Sequence, residues 1–149
     1  MGLKYYGYDE FVRDLKLLIA KIDWKFDAIV AISRGGLTIA HFLGEYYKIR
    51  NVFTINAIGY EDQEKLNEVK IFNIPDLQEF RNVLVVDEIV DSGETMQKVM
   101  QKLNGFDVKL KSAVIFVKPD AIYQPDFFVK YTNEWIDFFW TRDLYDIND

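Results

Sequence analysis

Short runs of apolar, often β-branched residues alternate along this 149-residue chain with stretches whose apolar side chains recur at helical spacing. Five runs are predicted strands, at residues 28–32, 52–58, 83–87, 113–117 and 127–131. Three stretches are predicted helices, at residues 8–22, 37–47 and 94–103. This alternation predicts an α/β fold in which helices flank a mainly parallel twisted sheet. Ligands of such sheets bind beyond the carboxyl ends of the strands, so functional residues are expected in the loops that leave those ends.

Length and composition favour a single domain over residues 1–149. Half of the residues are hydrophobic and 16% are aromatic, which is enough for a core and excludes a disordered chain. No repeat, low-complexity tract or Pro/Gly/Ser-rich linker divides the sequence. We therefore expect one globular unit.

Residue counts exclude or disfavour several function classes. Without cysteine, the chain has no disulfide scaffold, thiol nucleophile or Cys-ligated metal site. The single histidine, His41, leaves little room for a zinc site or a Ser-His-Asp triad, and we expect it to be a packed helix residue. Eighteen Lys and Arg against 24 Asp and Glu give a net charge of −6, which argues against a general nucleic-acid binder because such proteins need a basic face.

Apolar segments are too short for a membrane span. The longest are residues 28–32 and 113–117. Residues 1–10 are polar and aromatic and lack the apolar region of a signal peptide. We therefore expect a cytoplasmic protein with no membrane partner.

The strongest functional signal is the segment Val83-Leu84-Val85-Val86-Asp87-Glu88-Ile89-Val90-Asp91-Ser92-Gly93-Glu94-Thr95. A strand ends in two adjacent carboxylates, a third acid follows, and a Ser-Gly-Glu-Thr turn opens a helix. Backbone N–H groups at a helix N-terminus form an anion cradle, and Gly93 lets the backbone approach a phosphate. Asp87 and Glu88 are suited to a sugar diol or to Mg²⁺. Asp91 is suited to proton exchange with a ring nitrogen.

A purely structural interpretation of the same segment is a strand, an acidic turn and an N-capped helix. Three acids are more than capping needs, which favours a functional role. The segment is not a Walker loop, because the Gly-Lys-Thr ending of that motif is missing.

A second turn of this kind, Ser33-Arg34-Gly35-Gly36, follows the strand at residues 28–32. The two glycines permit unusual backbone dihedrals, and Arg34 carries a guanidinium suited to phosphate. Alone the signal is weak, because a Gly-Gly pair before a helix is usually only a turn. Together the two turns predict a ligand with a phosphate at one end, a sugar diol in the middle and a second phosphate group at the other.

Periodicity weakens between Tyr60 and Arg81. The highly charged stretch 61–65 has two open interpretations, a solvated loop or a mobile lid, and the residues alone favour the loop.

These motifs resemble those of type I phosphoribosyltransferases. The acid-rich segment is similar to the phosphoribosyl-pyrophosphate motif of that family, and the Ser-Arg-Gly-Gly turn is similar to its pyrophosphate loop. Two further pieces resemble the purine pocket of bacterial xanthine-guanine and hypoxanthine phosphoribosyltransferases, namely Lys118-Pro119 and Asn133-Glu134-Trp135-Ile136-Asp137. The resemblance covers nearly the whole chain and implies the fold of that family, with a small C-terminal hood that binds the base.

Contacts to phosphoribosyl pyrophosphate follow from the resemblance. The 5-phosphate is implied to lie on the helix-opening turn, which comprises Ser92, Gly93, Glu94 and Thr95, with the Glu94 side chain pointing away. The ribose hydroxyls are implied to face Asp87 and Glu88, and Glu88 to contribute to a Mg²⁺ shell. The pyrophosphate is implied to bind the second turn and a lid cation, which are Ser33, Arg34, Gly35 and Lys65. The Ser33–Arg34 peptide bond is implied to be cis.

The remaining implied roles concern the base. Asp91 is the catalytic residue, which acts as acid and base near purine N7 and also lies beside the sugar diphosphate. Lys118 donates to the 6-oxo oxygen, Trp135 stacks on the ring, and the Ile136 carbonyl reads the 2-position. Without the family, a solvated Lys118 and a core Trp135 are the simpler interpretations. We expect Phe138, Phe139 and Trp140 to be core.

The resemblance thus implies a Mg²⁺-dependent enzyme of purine salvage. It would transfer the 5-phosphoribosyl group from phosphoribosyl pyrophosphate to guanine, hypoxanthine or xanthine and release pyrophosphate, working as a homo-oligomer such as a dimer or tetramer. Two alternatives stay open, a transferase for another base and a non-catalytic regulator that senses phosphoribosyl pyrophosphate. The net charge disfavours a regulator that binds nucleic acid.

Overall fold

The computed structural model describes the backbone of residues 2–62 and 65–148, and the side-chain surroundings of the same residues except 60–67 and 146–148. Its strands are β1 (Leu3–Tyr6), β2 (Ala28–Ser33), β3 (Val52–Asp62), β4 (Lys65–Phe72), β5 (Asn82–Val86), β6 (Ile89–Val90), β7 (Lys109–Val117), β8 (Phe127–Tyr131) and β9 (Trp135–Phe138). Its helices are α1 (Tyr8–Lys21), α2 (Leu37–Tyr47), α3 (Glu94–Leu103), α4 (Phe139–Arg142) and a 3₁₀ helix (Asp143–Asn148). None of the described helices has the length and apolar character that crossing a bilayer requires.

The main sheet confirms the predicted α/β fold. Its order is β4-β3-β2-β5-β7, and both β6 and β8 also pair with β7. Every pairing described in this sheet is parallel except that of β3 with β4, which is antiparallel. The carboxyl ends of β2, β5 and β7 therefore point to one edge of the sheet.

Helices cover both faces of the central strands, which explains why those strands are continuous apolar runs. Successive strand residues face opposite sides, so Ile29 and Ala31 of β2 pack in a cluster with α1 and α2, whereas Ala28 and Val30 pack with α3. The helices contribute one apolar face each, such as Met96, Val99 and Leu103 of α3.

A separate two-stranded sheet joins the two ends of the chain. β1 and β9 run parallel, with Leu3 opposite Trp135 and Tyr6 opposite Phe138. The Tyr6 ring is fully buried and meets the rings of Phe116 and Phe138 edge to face, at centroid distances of 4.9 and 5.6 Å. The two strands β1 and β9, which we call the hood, are therefore packed onto the main sheet through aromatic side chains.

The structure corrects two local predictions. Part of the weakly periodic region after Tyr60 is strand, because β3 extends to Asp62 and pairs with β4, which runs from Lys65 to Phe72. Residues 63 and 64 of the charged stretch lie outside the described residues. The antiparallel ribbon leaves one face exposed, so its sequence lacks the apolar run of a buried strand. The strand predicted at residues 113–117 begins earlier, because residues 109–111 also belong to β7 and pair with β5.

Gly36 illustrates how tightly the turn between β2 and α2 is packed. Its φ of −83° is ordinary, but a Cβ at this position would overlap the Val86 carbonyl oxygen and lie 3.0 Å from backbone atoms of Ile32. Both obstacles are backbone atoms of central strands, which cannot move aside cheaply.

Gly36→Ala is therefore expected to lower the free energy of unfolding by about 2 kcal/mol, measured by urea denaturation. The control is Gly105→Ala, because the Cβ there would meet only the Lys102 carbonyl oxygen, at 3.8 Å. We expect the control to change stability by less than about 0.5 kcal/mol. Equal midpoints for the two variants would contradict the packing argument.

Candidate active site

The turns that follow β2 and β5 meet at the carboxyl edge of the sheet. The two strands are parallel neighbours, with Ala31 opposite Val86, so their turns leave the sheet side by side. Gly35 lies so close to Glu88 that a Cβ on Gly35 would overlap the Glu88 carboxylate. The structure thus brings together the two turns that the sequence singled out.

Space, rather than unusual dihedrals, is what Gly35 and Gly36 provide. Among the described glycines, only Gly93 has a positive φ, at +94°, and it is the residue before α3. Gly35 and Gly36 permit unusual dihedrals, but neither has a positive φ. The implied cis peptide bond between Ser33 and Arg34 is present.

A small cavity of about 210 Å³ lies over the N-terminus of α3. It is lined by residues of the acid-rich segment, namely Asp87, Glu88, Ile89, Val90, Asp91, Ser92, Gly93, Thr95 and Met96. Glu94 begins α3 beside this cavity without lining it. Because ligand pockets usually span about 300–1,000 Å³, this volume suits one group of a ligand rather than a whole one.

A larger cavity of about 590 Å³ adjoins the first and shares Glu88 with it. Arg34 and Gly35 form one wall. The rest of the lining comes from the C-terminal region, with Trp140, Thr141, Leu144 and Tyr145. Sequence reasoning missed these four as site residues, since no periodicity or motif separates them from core aromatics. Close by in sequence, Arg142 donates from Nε to Asp137 Oδ2 at 2.5 Å.

Asp87 and Glu88 form a pair of acids at the junction of the two cavities. Asp87 is buried, and one of its carboxylate oxygens accepts the Glu88 backbone N–H at 2.9 Å. Burial, followed by the negative charge of Glu88, raises the pKa of Asp87 well above its ordinary value. A cation bound at this pair would offset the repulsion between the two carboxylates.

The donor set at this junction fits Mg²⁺ bound together with a ligand. No group of three or more His, Cys, Asp or Glu side chains suited to a metal ion occurs among the described residues. Mg²⁺ is commonly held by one or two carboxylates, with phosphate and water oxygens completing its shell. Asp87 and Glu88 could supply those carboxylates, and the cavities on either side leave room for the other ligands.

Lys118 is held next to Asp91 by the loop that follows β7. Its Nζ lies 3.3 Å from Asp91 Oδ1, and its side chain is 16% exposed against 61% for Asp91. The Lys118 N–H donates to the Val90 carbonyl at 3.0 Å, and the Ile122 N–H donates to the Ser92 carbonyl at 2.8 Å. The lysine is therefore fixed on the acid-rich turn rather than free in solvent.

Trp135 and Ile136 lie on β9 in contrasting environments. The Trp135 side chain is 64% exposed, so the core interpretation does not hold for it, whereas Ile136 is buried. The Thr132 N–H donates to the carbonyl of Val117, the residue before Lys118, at 3.1 Å. This hydrogen bond ties the segment before Trp135 to the end of β7, where Lys118 lies. Neither Trp135 nor Lys118 lines the two cavities described above.

Three further expectations have mixed outcomes. Phe138, Phe139 and Trp140 pack against the core, as expected. His41 is exposed on α2, with Nε2 3.7 Å from Glu45 Oε1, so the expectation of a packed residue was wrong. Lys65 begins β4, but its side chain lies outside the described residues.

Fold and site together define an α/β protein that presents an arginine-glycine turn and an acid-rich turn at the carboxyl edge of a parallel sheet. Residues 10–147 match the phosphoribosyl transferase domain family. Because this match spans most of the sequence, the chain belongs to the phosphoribosyltransferase family.

Three individual proteins illustrate the similarity. A xanthine-guanine-hypoxanthine phosphoribosyltransferase of Helicobacter pylori superimposes with a TM-score of 0.90 at 40% identity, covering 98% of each chain. A purine phosphoribosyltransferase of Pyrococcus horikoshii superimposes with a TM-score of 0.83 at 29% identity, covering 94% of this chain and 95% of the other. A xanthine-guanine phosphoribosyltransferase of Gluconobacter oxydans is 32% identical over 140 residues, which are 89% of this chain and 81% of that protein.

The raised pKa of Asp87 has a consequence for stability. The folded protein binds this proton more tightly than the unfolded chain does, so stability falls as the pH rises from the ordinary carboxyl pKa of 3.8 towards the raised value. Above the raised pKa the folded protein carries the full cost of the buried charge.

Asp87→Asn is expected to raise the unfolding free energy of the ligand-free protein at pH 7 by about 1 kcal/mol or more, and to flatten its fall with pH. Urea denaturation at several pH values would measure both effects. Asp76→Asn, at an exposed acid, serves as the control and is expected to have little effect. A less stable Asp87→Asn protein at neutral pH would contradict the prediction.

Proposed function

We propose that this protein transfers the 5-phosphoribosyl group from phosphoribosyl pyrophosphate to a 6-oxopurine and releases pyrophosphate, as a purine salvage enzyme. The observation that carries the proposal is the pairing of Asp91 with Lys118 at 3.3 Å, on the turn that forms the small cavity. The names of the three similar proteins support the substrate class, since all are described as acting on purines, or on xanthine and guanine.

The phosphoribosyl end of the substrate is assigned to the small cavity. N–H groups at the start of α3 favour an anion, and the positive φ of Gly93 turns the backbone into that helix. Ser92 and Thr95 add hydroxyl donors at the cavity wall. A 5-phosphate there would place the ribose beside Asp87 and Glu88.

Pyrophosphate is assigned to the larger cavity. Arg34 offers a planar guanidinium that binds phosphate oxygens in pairs. Gly35 has no side chain and therefore leaves space for the Glu88 carboxylate. Mg²⁺ held by Glu88 and Asp87 would neutralise charge on the leaving pyrophosphate. The two carboxylates would also favour the positive charge that develops on the sugar.

Base selection is assigned to Lys118, Asp91 and β9. An ammonium donates only, so Lys118 suits the 6-oxo oxygen of guanine, hypoxanthine or xanthine and mismatches the 6-amino group of adenine. Asp91 would exchange a proton at N7. The exposed ring of Trp135 would stack on the base, and the Ile136 carbonyl would favour the 2-amino group of guanine.

The proposal includes a homo-oligomer that works in the cytoplasm. Apolar side chains exposed on the β3–β4 ribbon support an interface between copies, among them Val52, Ile58 and Phe72. A salvage reaction on free bases and a phosphorylated sugar fits the cytoplasm.

The reaction is tested with phosphoribosyl pyrophosphate, Mg²⁺ and each of guanine, hypoxanthine, xanthine and adenine in a spectrophotometric assay. We expect turnover of 6-oxopurines but not adenine, and a loss of at least about 100-fold in kcat for Asp91→Asn, because general acid–base catalysis is removed. Asp120→Asn, at an exposed acid in the Lys118 loop, is the matched control. Binding of phosphoribosyl pyrophosphate without turnover of any base would favour a regulator or a different base.

Removal of the metal gives a second test. Chelation of Mg²⁺ is expected to abolish turnover, and added Mg²⁺ to restore it. Since substrate oxygens would complete the ion's shell, Mg²⁺ and phosphoribosyl pyrophosphate together should raise the melting temperature more than the sum of their separate effects. Full activity in excess chelator would refute the metal assignment.

A further inference from the structure

A partly buried network of charged side chains lies where the hood meets the body of the protein. Tyr6 Oη donates to Asp14 Oδ2 at 2.6 Å. Lys130 Nζ lies 2.8 Å from that same Asp14 oxygen and 2.8 Å from Glu10 Oε2. Lys4 Nζ lies 3.2 Å from Glu10 Oε2. We call these five residues the hood anchor.

The anchor joins three elements through their local geometry. Lys4 and Tyr6 are two residues apart on β1 and share a face, while Glu10 and Asp14 are four residues apart on α1 and also share a face. Lys130 reaches from β8 to both acids. Strand β1 of the hood is therefore docked to α1, and Lys130 of β8 bridges the two acids of that helix.

Burial makes this arrangement specific. Tyr6 and Asp14 are almost completely inaccessible, and the Lys130 ammonium lies 5.7 Å from the ring centre of Tyr6 and 5.4 Å from that of Phe116. Buried charges tolerate few alternative geometries, because a displaced partner leaves the other unpaired.

Ionisation of the network is favoured on both sides. Burial opposes charge on Lys130, but hydrogen bonds to Asp14 and Glu10 outweigh it and raise the pKa of Lys130. Burial likewise opposes charge on Glu10, but hydrogen bonds from Lys130 and Lys4 outweigh it and lower the pKa of Glu10. Burial and the Asp14 carboxylate raise the pKa of Tyr6, so its hydroxyl remains a donor.

The anchor is connected to the proposed base site through the hood itself. Lys4 is opposite Ile136 and Tyr6 is opposite Phe138 in the parallel ladder of β1 with β9. The Trp135 N–H continues this pairing by donating to the Gly2 carbonyl at 2.9 Å. Displacement of β1 relative to α1 therefore displaces the strand that carries Trp135 and Ile136.

We infer that the hood anchor positions β9 for purine binding, with Tyr6 and Lys130 as positioning residues that never touch the substrate. This inference rests on the proposed function, in which Trp135 and Ile136 contact the base. It predicts a larger effect on the purine than on phosphoribosyl pyrophosphate, whose proposed polar contacts lie in the turns after β2 and β5 and at the start of α3.

Two variants weaken the anchor with little change in shape. Tyr6→Phe removes one hydroxyl and keeps the ring between Phe116 and Phe138. Lys130→Met keeps an unbranched apolar stem and removes the charge. Tyr47→Phe is the matched control, because the Tyr47 hydroxyl is buried without a hydrogen-bond partner in the described part of the chain.

In steady-state assays, Tyr6→Phe is expected to raise KM for guanine roughly tenfold, the scale of a hydrogen bond to a charged group. KM for phosphoribosyl pyrophosphate should stay within about twofold of wild type. The double variant with Lys130→Met should raise KM for guanine by less than the product of the two single-variant increases, because both substitutions act on one network. Tyr47→Phe should leave both KM values unchanged.

Amide hydrogen exchange gives a readout that does not need activity. Tyr6→Phe should speed exchange in residues 2–8 and 133–138 and leave residues 28–33 and 83–86 unchanged. Faster exchange throughout the chain, or equal rises in both KM values, would overturn the inference and leave the anchor a stability device. A third outcome is possible, in which faster exchange in Tyr6→Phe is confined to the hood but the wild-type protein turns over no purine. That result would support the control of β9 by the hood anchor and refute the proposed function.

Discussion

Parallel pairing of β2, β5 and β7 is the constraint on which the rest of the structure depends. In a parallel sheet, every strand presents its carboxyl end to the same edge, so turns that are about 50 residues apart in sequence leave side by side. That arrangement puts Gly35 against Glu88 and ties the Lys118 loop to the acid-rich turn. No single turn could provide an arginine, paired carboxylates and a helix N-terminus at once.

The acids at this edge show a conflict between stability and ligand binding. Asp87 is buried beside Glu88, so burial and the charge of Glu88 both oppose ionisation of Asp87 in the ligand-free protein. A structural role alone would not need the second carboxylate. A site that awaits cationic or hydroxyl partners explains it, and the destabilised state is then that of the empty site.

Local patterns predicted the central layer of the fold well and its additions poorly. The helices at residues 37–47 and 94–103 were predicted to the residue, because each has apolar periodicity and is directly preceded by a turn glycine. The hood strands were missed, since β1 and β9 are four residues each and pair across about 130 residues of sequence. Within the site, Arg34 and Asp91 belong to motifs that resemble those of the family, so the sequence identified them. Tyr145 belongs to no local motif and lines the larger cavity only because of the course of the C-terminal segment.

Different physical forces hold the two halves of the proposed site. The phosphate half is built on strands whose apolar faces are fully covered, so its geometry follows from close packing. The base half is carried by a two-stranded hood too small to have a core of its own, since two strands are at best marginally stable in water. A charged network such as that of Glu10, Asp14 and Lys130 adds little net stability over apolar packing, yet it permits few competing arrangements. Orientation of a small element is what such a network can supply where packing alone would leave several positions nearly equal in energy.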